Sequence, residues 1–509
     1  MLSFLRMVCW LLFLIWTAQA VGTPVGQPTL PQAKEHFYSR RFRDSAATLR
    51  ELIRLEPANV GARYLLVRTL IEDNLPRQGL LEAELAGKEC PAEALSHVAL
   101  GDAHFRLADF DRALSAYEEA VKRNAREPRA HLGLGRILYS DFRFQSARER
   151  FQTALSLDPQ DPDIALALSS VMPRSPEQLK LEEQYADQAT YRDPEELEGT
   201  KALVSLFKLK GGKRPFVVGN PPDETTLGLE GLPTHSLRPT AFVLRVSLNG
   251  GEPRKLLVDT GAHGIVVSAR VAQQGPIESL VPYRLGGLGD AGRASASLGW
   301  ADSVIIGGKL SLRDCPVIIT DKSVGRLWEG IIGTDVLRSY LISLDFPANE
   351  LRIGRAAGDQ ADDYSLDRAP RGGADSTPVH FVEGKLLIKT TINSKGRGYF
   401  VLDTGAGQTL IDRRLAESAS KVTSSRRRVG GISGQVQEVL RTEELLLQFA
   451  GLEHRGSLAA VDLSRLSYAL GMEVGGLIGC DLLRDVCLTI DYRNGVIRTS
   501  RVNRGAPEQ

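Results

Sequence analysis

The sequence predicts a multidomain chain: an all-α array of helical repeats, then an all-β region made of two copies of one small lobe. A helical pattern returns every 34 residues, Leu100-Gly101, Ala113, Tyr117 and Ala120 being followed by Leu134-Gly135, Ala147, Phe151 and Ala154. The tripeptide Asp-Thr-Gly occurs twice, at Asp259-Thr260-Gly261 and Asp403-Thr404-Gly405, each time after a short apolar run and before Ala. Further paired landmarks follow in the same order. They are Gly286-Gly287 and Gly430-Gly431, then Gly330-Ile331-Ile332-Gly333 and Gly476-Leu477-Ile478-Gly479, then strand-like runs reaching Asp345 and Asp491. Partners stand 144 to 146 residues apart throughout, which marks duplication of a whole domain.

Taken in order, residues 1–20 read as a secretory signal. Arg6 supplies a short positive segment, an apolar run extends from Met7 to Trp16, and Ala18-Gln19-Ala20 fits a small-x-small cleavage site. The run is short for a transmembrane helix. Export with cleavage is expected, leaving no stable membrane insertion; anchoring by an uncleaved signal is the alternative. Cys90, Cys315, Cys480 and Cys487 have no Cys-x-x-Cys spacing and form no disulfide framework, which favours a bacterial periplasm over an extracellular space.

Residues 30–170 carry the repeats. A unit with Phe42, Leu49, Leu52 and Pro57 stands two periods before Phe110, Tyr117, Ala120 and Ala125, and the unit between, near 61–92, is degenerate. Small residues let paired helices approach while aromatics fill the groove. This region resembles tetratricopeptide (TPR) repeats, although His97 and His131 replace an early aromatic and Ala125 a proline. The resemblance implies recruitment of a substrate or protein partner on a concave face; a generic bundle or a spacer is the plainer alternative. Residues 171–238 read as a capping helix and a linker, broken by Gly211-Gly212 and Pro221-Pro222.

Lobe 1 is expected over 239–355 and lobe 2 over 377–500, joined by a polar, Gly-rich linker at 356–376. An apolar strand running into a carboxylate, a hydroxyl and a glycine is an ordinary turn when met once. Met twice in a duplicated lobe, it supplies two carboxylates that can share a proton. Asp335 and Asp481 precede helix-like stretches and are expected to cap them. Asp345 and Asp491 suit turns. His263, which has Gly407 as its counterpart, reads as structural or tuning.

Residues 239–500 resemble a tandem pair of retropepsin-type aspartic protease lobes, of the pepsin and retropepsin clan. The resemblance implies two-lobed acid-protease barrels with Asp259 and Asp403 as the catalytic pair. Thr260, Gly261, Thr404 and Gly405 would support the active-site loops. Gly286, Gly287, Gly430 and Gly431 are flap candidates. No metal and no cofactor is implied.

Other chemistries find no support. There is no His-Glu-x-x-His, Gly-x-Ser-x-Gly or P-loop motif, and the Gly-x-Gly-x-x-Gly match at Gly287–Gly292 falls at the flap position. With 63 Lys and Arg against 62 Asp and Glu, nucleic-acid binding is not indicated. The expected function is an exported aspartic endopeptidase acting on extended polypeptides, its active unit a monomer. A non-catalytic peptide-binding or scaffold protein on a protease fold is the rival. Because the repeats hold no candidate catalytic carboxylates, the lobes are expected to fold and cut small peptides without residues 21 to about 200.

Overall fold

The computed structural model describes residues 27–501 except 220–222, 234–237, 323, 356–366, 368–374 and 395. The expected signal at 1–20 lies outside the described residues, as does most of the expected 356–376 linker.

Antiparallel helix pairs form the array: Leu30–Tyr38 with Phe42–Leu55, Val60–Glu72 with Pro76–Glu89, Ala94–Arg106 with Phe110–Arg123, and Pro128–Ser140 with Phe144–Leu157. Helices Pro162–Ser170, Pro176–Gln188 and Pro194–Leu209 follow. Proline at the first helical position recurs because its missing N–H has no helical partner there. Side-chain caps at Asn59, Asp109 and Ser175 satisfy other free donors. The turn inside each of the first four pairs holds one residue at positive φ, Arg40, Asn74, Ala108 and Phe142, again 34 residues apart. The unit near 61–92 is therefore a complete helix pair despite its weak sequence pattern. The small-residue argument is visible at Tyr117, whose ring lies where a Cβ on Gly101 or Gly133 would fall.

Each lobe is a curled sheet around one interlocked core. In lobe 1, strand Gly330–Gly333 lies between Arg254–Asp259, to which it is parallel, and Ile265–Ser268, to which it is antiparallel. In lobe 2, Gly476–Ile478 occupies the same place between Gly396–Leu402 and Leu410–Asp412. This insertion is what the repeated apolar-apolar-Gly segments are for. Their glycines let three backbones pass closely: a Cβ on Gly330 would reach 2.6 Å from the Val266 carbonyl oxygen.

The lobes are joined by a six-stranded sheet in which Tyr340–Asp345 pairs antiparallel with Val486–Asp491. Ser343 pairs with Thr489, its own counterpart in the duplication, and their hydroxyls are 2.9 Å apart. The pseudo-two-fold axis thus passes between them.

Part of the segment read as a linker is sheet. Val217–Val218 pairs with Leu312–Arg313, Glu224–Gly228 with Glu350–Gly354, and Glu230–Leu232 with Ala241–Val243. Leu227, Leu229 and Leu232 are buried, so these residues cover open strand edges of the lobes and close their core. Before them stand two helices, not one, over Pro176–Gln188 and Pro194–Leu209.

Candidate active site

Strands Arg254–Asp259 and Gly396–Leu402 end at the pseudo-two-fold axis and deliver the two Asp-Thr-Gly loops face to face. The threonines lock them. Thr260 Oγ1 donates to the Leu402 carbonyl (2.7 Å) and Thr404 Oγ1 to the Val258 carbonyl (2.9 Å). In return the Thr260 and Thr404 amides each donate to the other's hydroxyl at 3.0 Å. Both threonines are 2% exposed, so these bonds exchange with little water.

Gly261 and Gly405 are required for space and not for dihedral freedom, since neither has positive φ. A Cβ on Gly261 would reach 2.7 Å from Asp403 Cγ, and one on Gly405 would overlap the Asp259 carboxylate. The two carboxylates therefore sit against each other's loops. Gly261 N–H donates to Asp259 Oδ1 (2.6 Å) and Ala406 N–H to Asp403 Oδ1 (2.8 Å).

The electrostatics of the pair are unequal. Burial, then the negative charge of Asp259, push Asp403 up to about 8, against the Ala406 N–H and Lys385. Burial also raises Asp259, against Lys385 and the Gly261 and Gly405 N–H groups. Two neighbouring carboxylates cannot both ionise cheaply, so one proton is retained between them.

Both glycine-pair segments sit at the meeting point of two flaps. Strands Ser279–Leu285 and Ala294–Ile306 carry a long tip from lobe 1, and Gly430–Gly431 pairs with Gly434–Gln435 in lobe 2. Gly287 lies against Ile432 and Gly431 against Leu288, whereas Gly286 and Gly430 face residues of their own hairpins. Gly287 N–H donates to Ser433 Oγ (3.1 Å), Ser433 N–H to the Leu288 carbonyl (3.1 Å) and Ala291 N–H to the Ser433 carbonyl (2.8 Å). The lobe 1 flap is also held from behind, where Glu195 meets Arg284 at 3.1 Å and Arg293 at 3.5 Å.

The expected capping role of Asp335 and Asp481 is not what the fold shows. Neither helix they enter has a side-chain cap, the N-cap residues being Gly333 and Gly479. Asp335 instead accepts from Gly264 N–H (3.0 Å), and Asp481 from the Thr409 N–H and hydroxyl (both 2.8 Å). Each braces the chain just beyond an Asp-Thr-Gly loop. His263 bridges the lobes, Nδ1 3.2 Å from Asp335 and Nε2 3.1 Å from the Glu383 carbonyl. Burial resists ionisation of Asp335, but the His263 hydrogen bond and charge hold its carboxyl below the usual range.

Cys90, Cys315, Cys480 and Cys487 are free thiols. Among the described residues no group of His, Cys, Asp or Glu converges on a metal site, and no helix is long and apolar enough to cross a membrane. A cavity of about 760 Å³ lies on the seam between the repeats and lobe 2, lined in part by Arg77, Arg106, Phe110 and Tyr399. No Asp-Thr-Gly residue lines it.

Comparison with known proteins agrees with this architecture. Residues 244–336 match the family described as Aspartyl protease, and residues 383–491 that described as Retroviral aspartyl protease. Residues 30–86 and 98–168 match Tetratricopeptide repeat. The chain thus combines TPR repeats with two aspartyl protease domains of the retropepsin type. It is similar to DNA damage-inducible protein 1 of Kluyveromyces lactis, 29% identical over 164 residues, which cover 31% of this chain and 36% of the relative. It therefore spans about a third of the length of that curated relative. Among solved structures it is similar to a thermophilic TPR protein of Thermus thermophilus, at 20% identity and a TM-score of 0.30, covering 35% of this chain and 97% of that one. The APC/C hetero-tetramer Cut9–Hcn1 is similar at 16% identity and a TM-score of 0.30, covering 35% and 34%.

Proposed function

We propose that the chain is an exported aspartic endopeptidase that hydrolyses peptide bonds of extended polypeptides with the Asp259–Asp403 pair and a water molecule. The observation that carries this reading is the mutual approach of the two loops, each glycine leaving room for the other lobe's carboxylate. In the working state the pair holds one proton between its two carboxylates. The ionised member takes a proton from the water as it attacks the peptide carbonyl, and the protonated member donates to the developing oxyanion. The substrate lies as an added strand beneath the flaps, which must part to admit it.

The repeats are proposed to select or present the polypeptide. The first helices of several pairs already meet the chain's own residues. Tyr191 stacks on Phe37 at 4.8 Å and its hydroxyl donates to Asp163 (2.5 Å), which also meets Arg68 (3.0 Å) and Arg129 (2.7 Å). A partner on these helices adds to that segment or displaces it. Export and a periplasmic location rest on the leader and the cysteine pattern. Fractionation of a tagged chain tests them, recovery with membranes favouring an uncleaved anchor.

The test of function is incubation of the mature protein with a mixed peptide library across pH. Internal cleavage that pepstatin blocks and chelators leave alone is expected. Cleavage that a chelator abolishes and added metal restores would overturn the mechanism. No cleavage at any pH would favour the scaffold reading.

A further inference from the structure

The two lobes are symmetric at the Asp-Thr-Gly loops but not at the strands that lead up to them. Strand Lys385–Ile392 of lobe 2 and strand Ala241–Leu248 of lobe 1 are counterparts of equal length. Lobe 2 begins its strand with a lysine, and lobe 1 with a buried alanine. The Lys385 side chain is half-buried and crosses to the other lobe, where Nζ donates to the carbonyl of Gly261 in the lobe 1 catalytic loop. That carbonyl is two residues beyond Asp259.

We propose that Lys385 is a positioning residue of the aspartate pair: an ammonium carried by lobe 2 onto the lobe 1 loop, fixing that loop and setting the pH range over which the two carboxylates share one proton. This rests on reading Asp259 and Asp403 as a working pair.

The geometry gives the ammonium a defined place, since a carbonyl acceptor and not a mobile surface carboxylate holds it. Its field reaches both carboxylates and opposes the protonation that burial favours in each. Other charged groups stand on the neighbouring elements. His263 and Asp335 form the adjacent bridge from lobe 1, and Glu383 lies in the turn two residues before Lys385. Arg136, Arg192 and Glu196 of the array act on Glu383. The charge of Asp259 acts on Tyr492 and that of Asp403 on Cys480. A lone dyad in this enclosure would hold its proton to high pH. A single cation facing both members brings the protonation steps back down without ionising both, because their mutual repulsion is untouched.

The test compares wild type with K385M and K385Q, which remove the charge, and K385R, which keeps it. The readouts are carboxyl titration of ¹³C-aspartate-labelled protein by NMR and the pH profile of kcat/KM on a cleavable peptide. Removing the cation should move the dyad titrations and both limbs of the profile to higher pH by about one unit, the lower end for an opposite charge at close range. K385R should stay near wild type. Unshifted titrations in folded K385M and K385Q would overturn the proposal. So would K385R shifting as far as K385M, since packing and not charge would then be at work. If no variant and no wild type cuts any peptide, the endopeptidase reading fails, while the carboxyl titrations still decide what Lys385 does.

Discussion

Burying two carboxylates side by side is unfavourable unless one stays protonated, and the residues around Asp259 and Asp403 show how the chain manages it. The raised proton affinity of Asp403 means that the native state keeps a proton that the unfolded chain releases between the ordinary carboxylate range and about pH 8. Stability attributable to this site is therefore full at low pH and falls as pH rises through that interval. Asp403→Asn should raise Tm by a few degrees at pH 7.5 and by little at pH 4, measured by calorimetry; an equal gain at both would contradict the assignment. Activity should fall on the alkaline side as the shared proton is lost. Thr260→Ala removes the acceptor of the buried Thr404 N–H and the donor to Leu402, and should cost about 1–3 kcal/mol in denaturant unfolding. The Asp-Thr-Gly triplets were legible because carboxylate, hydroxyl and glycine are contiguous and repeated. Lys385, Asp335 and Asp481 were not legible as site residues, because their partners lie 71 to 124 residues away in sequence and no local pattern encodes the pairing.

At the scale of elements, the lobe 1 flap is restrained at both ends. Its tip is bonded to the lobe 2 tip, and its arm is packed on helix Pro194–Leu209, where Phe207 meets Trp300 edge-on at 5.9 Å. Glu195 is only a few residues beyond Tyr191 and Arg192, which contact Phe37 and Asp163 of the array. The contacts behind the lobe 1 hairpin and those to Phe37 and Asp163 of the array thus come from one stretch of chain. Glu195→Ala breaks partly exposed ion pairs, so its effect on stability should stay within about 1 kcal/mol. Amide exchange of residues 286–293 should nevertheless become faster. Unchanged exchange there would show that the tip contacts alone hold the flap. In the array, Gly101→Ala places a methyl on the Tyr117 ring and should destabilise by about 1–3 kcal/mol, with loss of helical signal at lower temperature. The flap glycines could be located from the duplication, but not which of each pair would meet the opposite tip. That depends on how each tip closes: lobe 1 leaves residues 286–293 between its paired strands, whereas lobe 2 pairs Gly430–Gly431 directly with Gly434–Gln435.

Across the whole molecule the repeats and the protease lobes are one packed body. Phe110 lies 4.5 Å from His380 and 5.1 Å from Tyr399, Phe142 lies 5.4 Å from Phe381, and Glu473 N–H donates to the Arg106 carbonyl at 2.8 Å. A buried apolar cluster runs without interruption from Val98 and Ile137 of the array to Leu387 and Val401 of lobe 2. The expectation that the lobes fold without residues 21 to about 200 therefore needs revision. Truncation exposes this seam and cuts away the start of helix Pro194–Leu209 with Glu195, so the lobes alone should be less stable and prone to aggregate, as light scattering on heating would show. Retention of full-length Tm by the truncated chain would contradict this. The two architectures were legible from period and duplication, whereas their union was not, because nothing local in the sequence pairs Phe110 and Phe142 of the array with His380, Phe381 and Tyr399 of the lobe 2 strands.

The central claim is that the two halves of one chain build a single hydrolytic site. Asp259→Asn and Asp403→Asn, assayed singly and as a mixture on a peptide that the wild type cuts, test it most directly. Each variant should lose several orders of magnitude in kcat/KM, since the carboxylates act as a unit, and the mixture should recover nothing at any concentration. Near-normal turnover by either variant, or activity in the mixture that rises with protein concentration, would contradict a site formed by Asp259 and Asp403 within one chain.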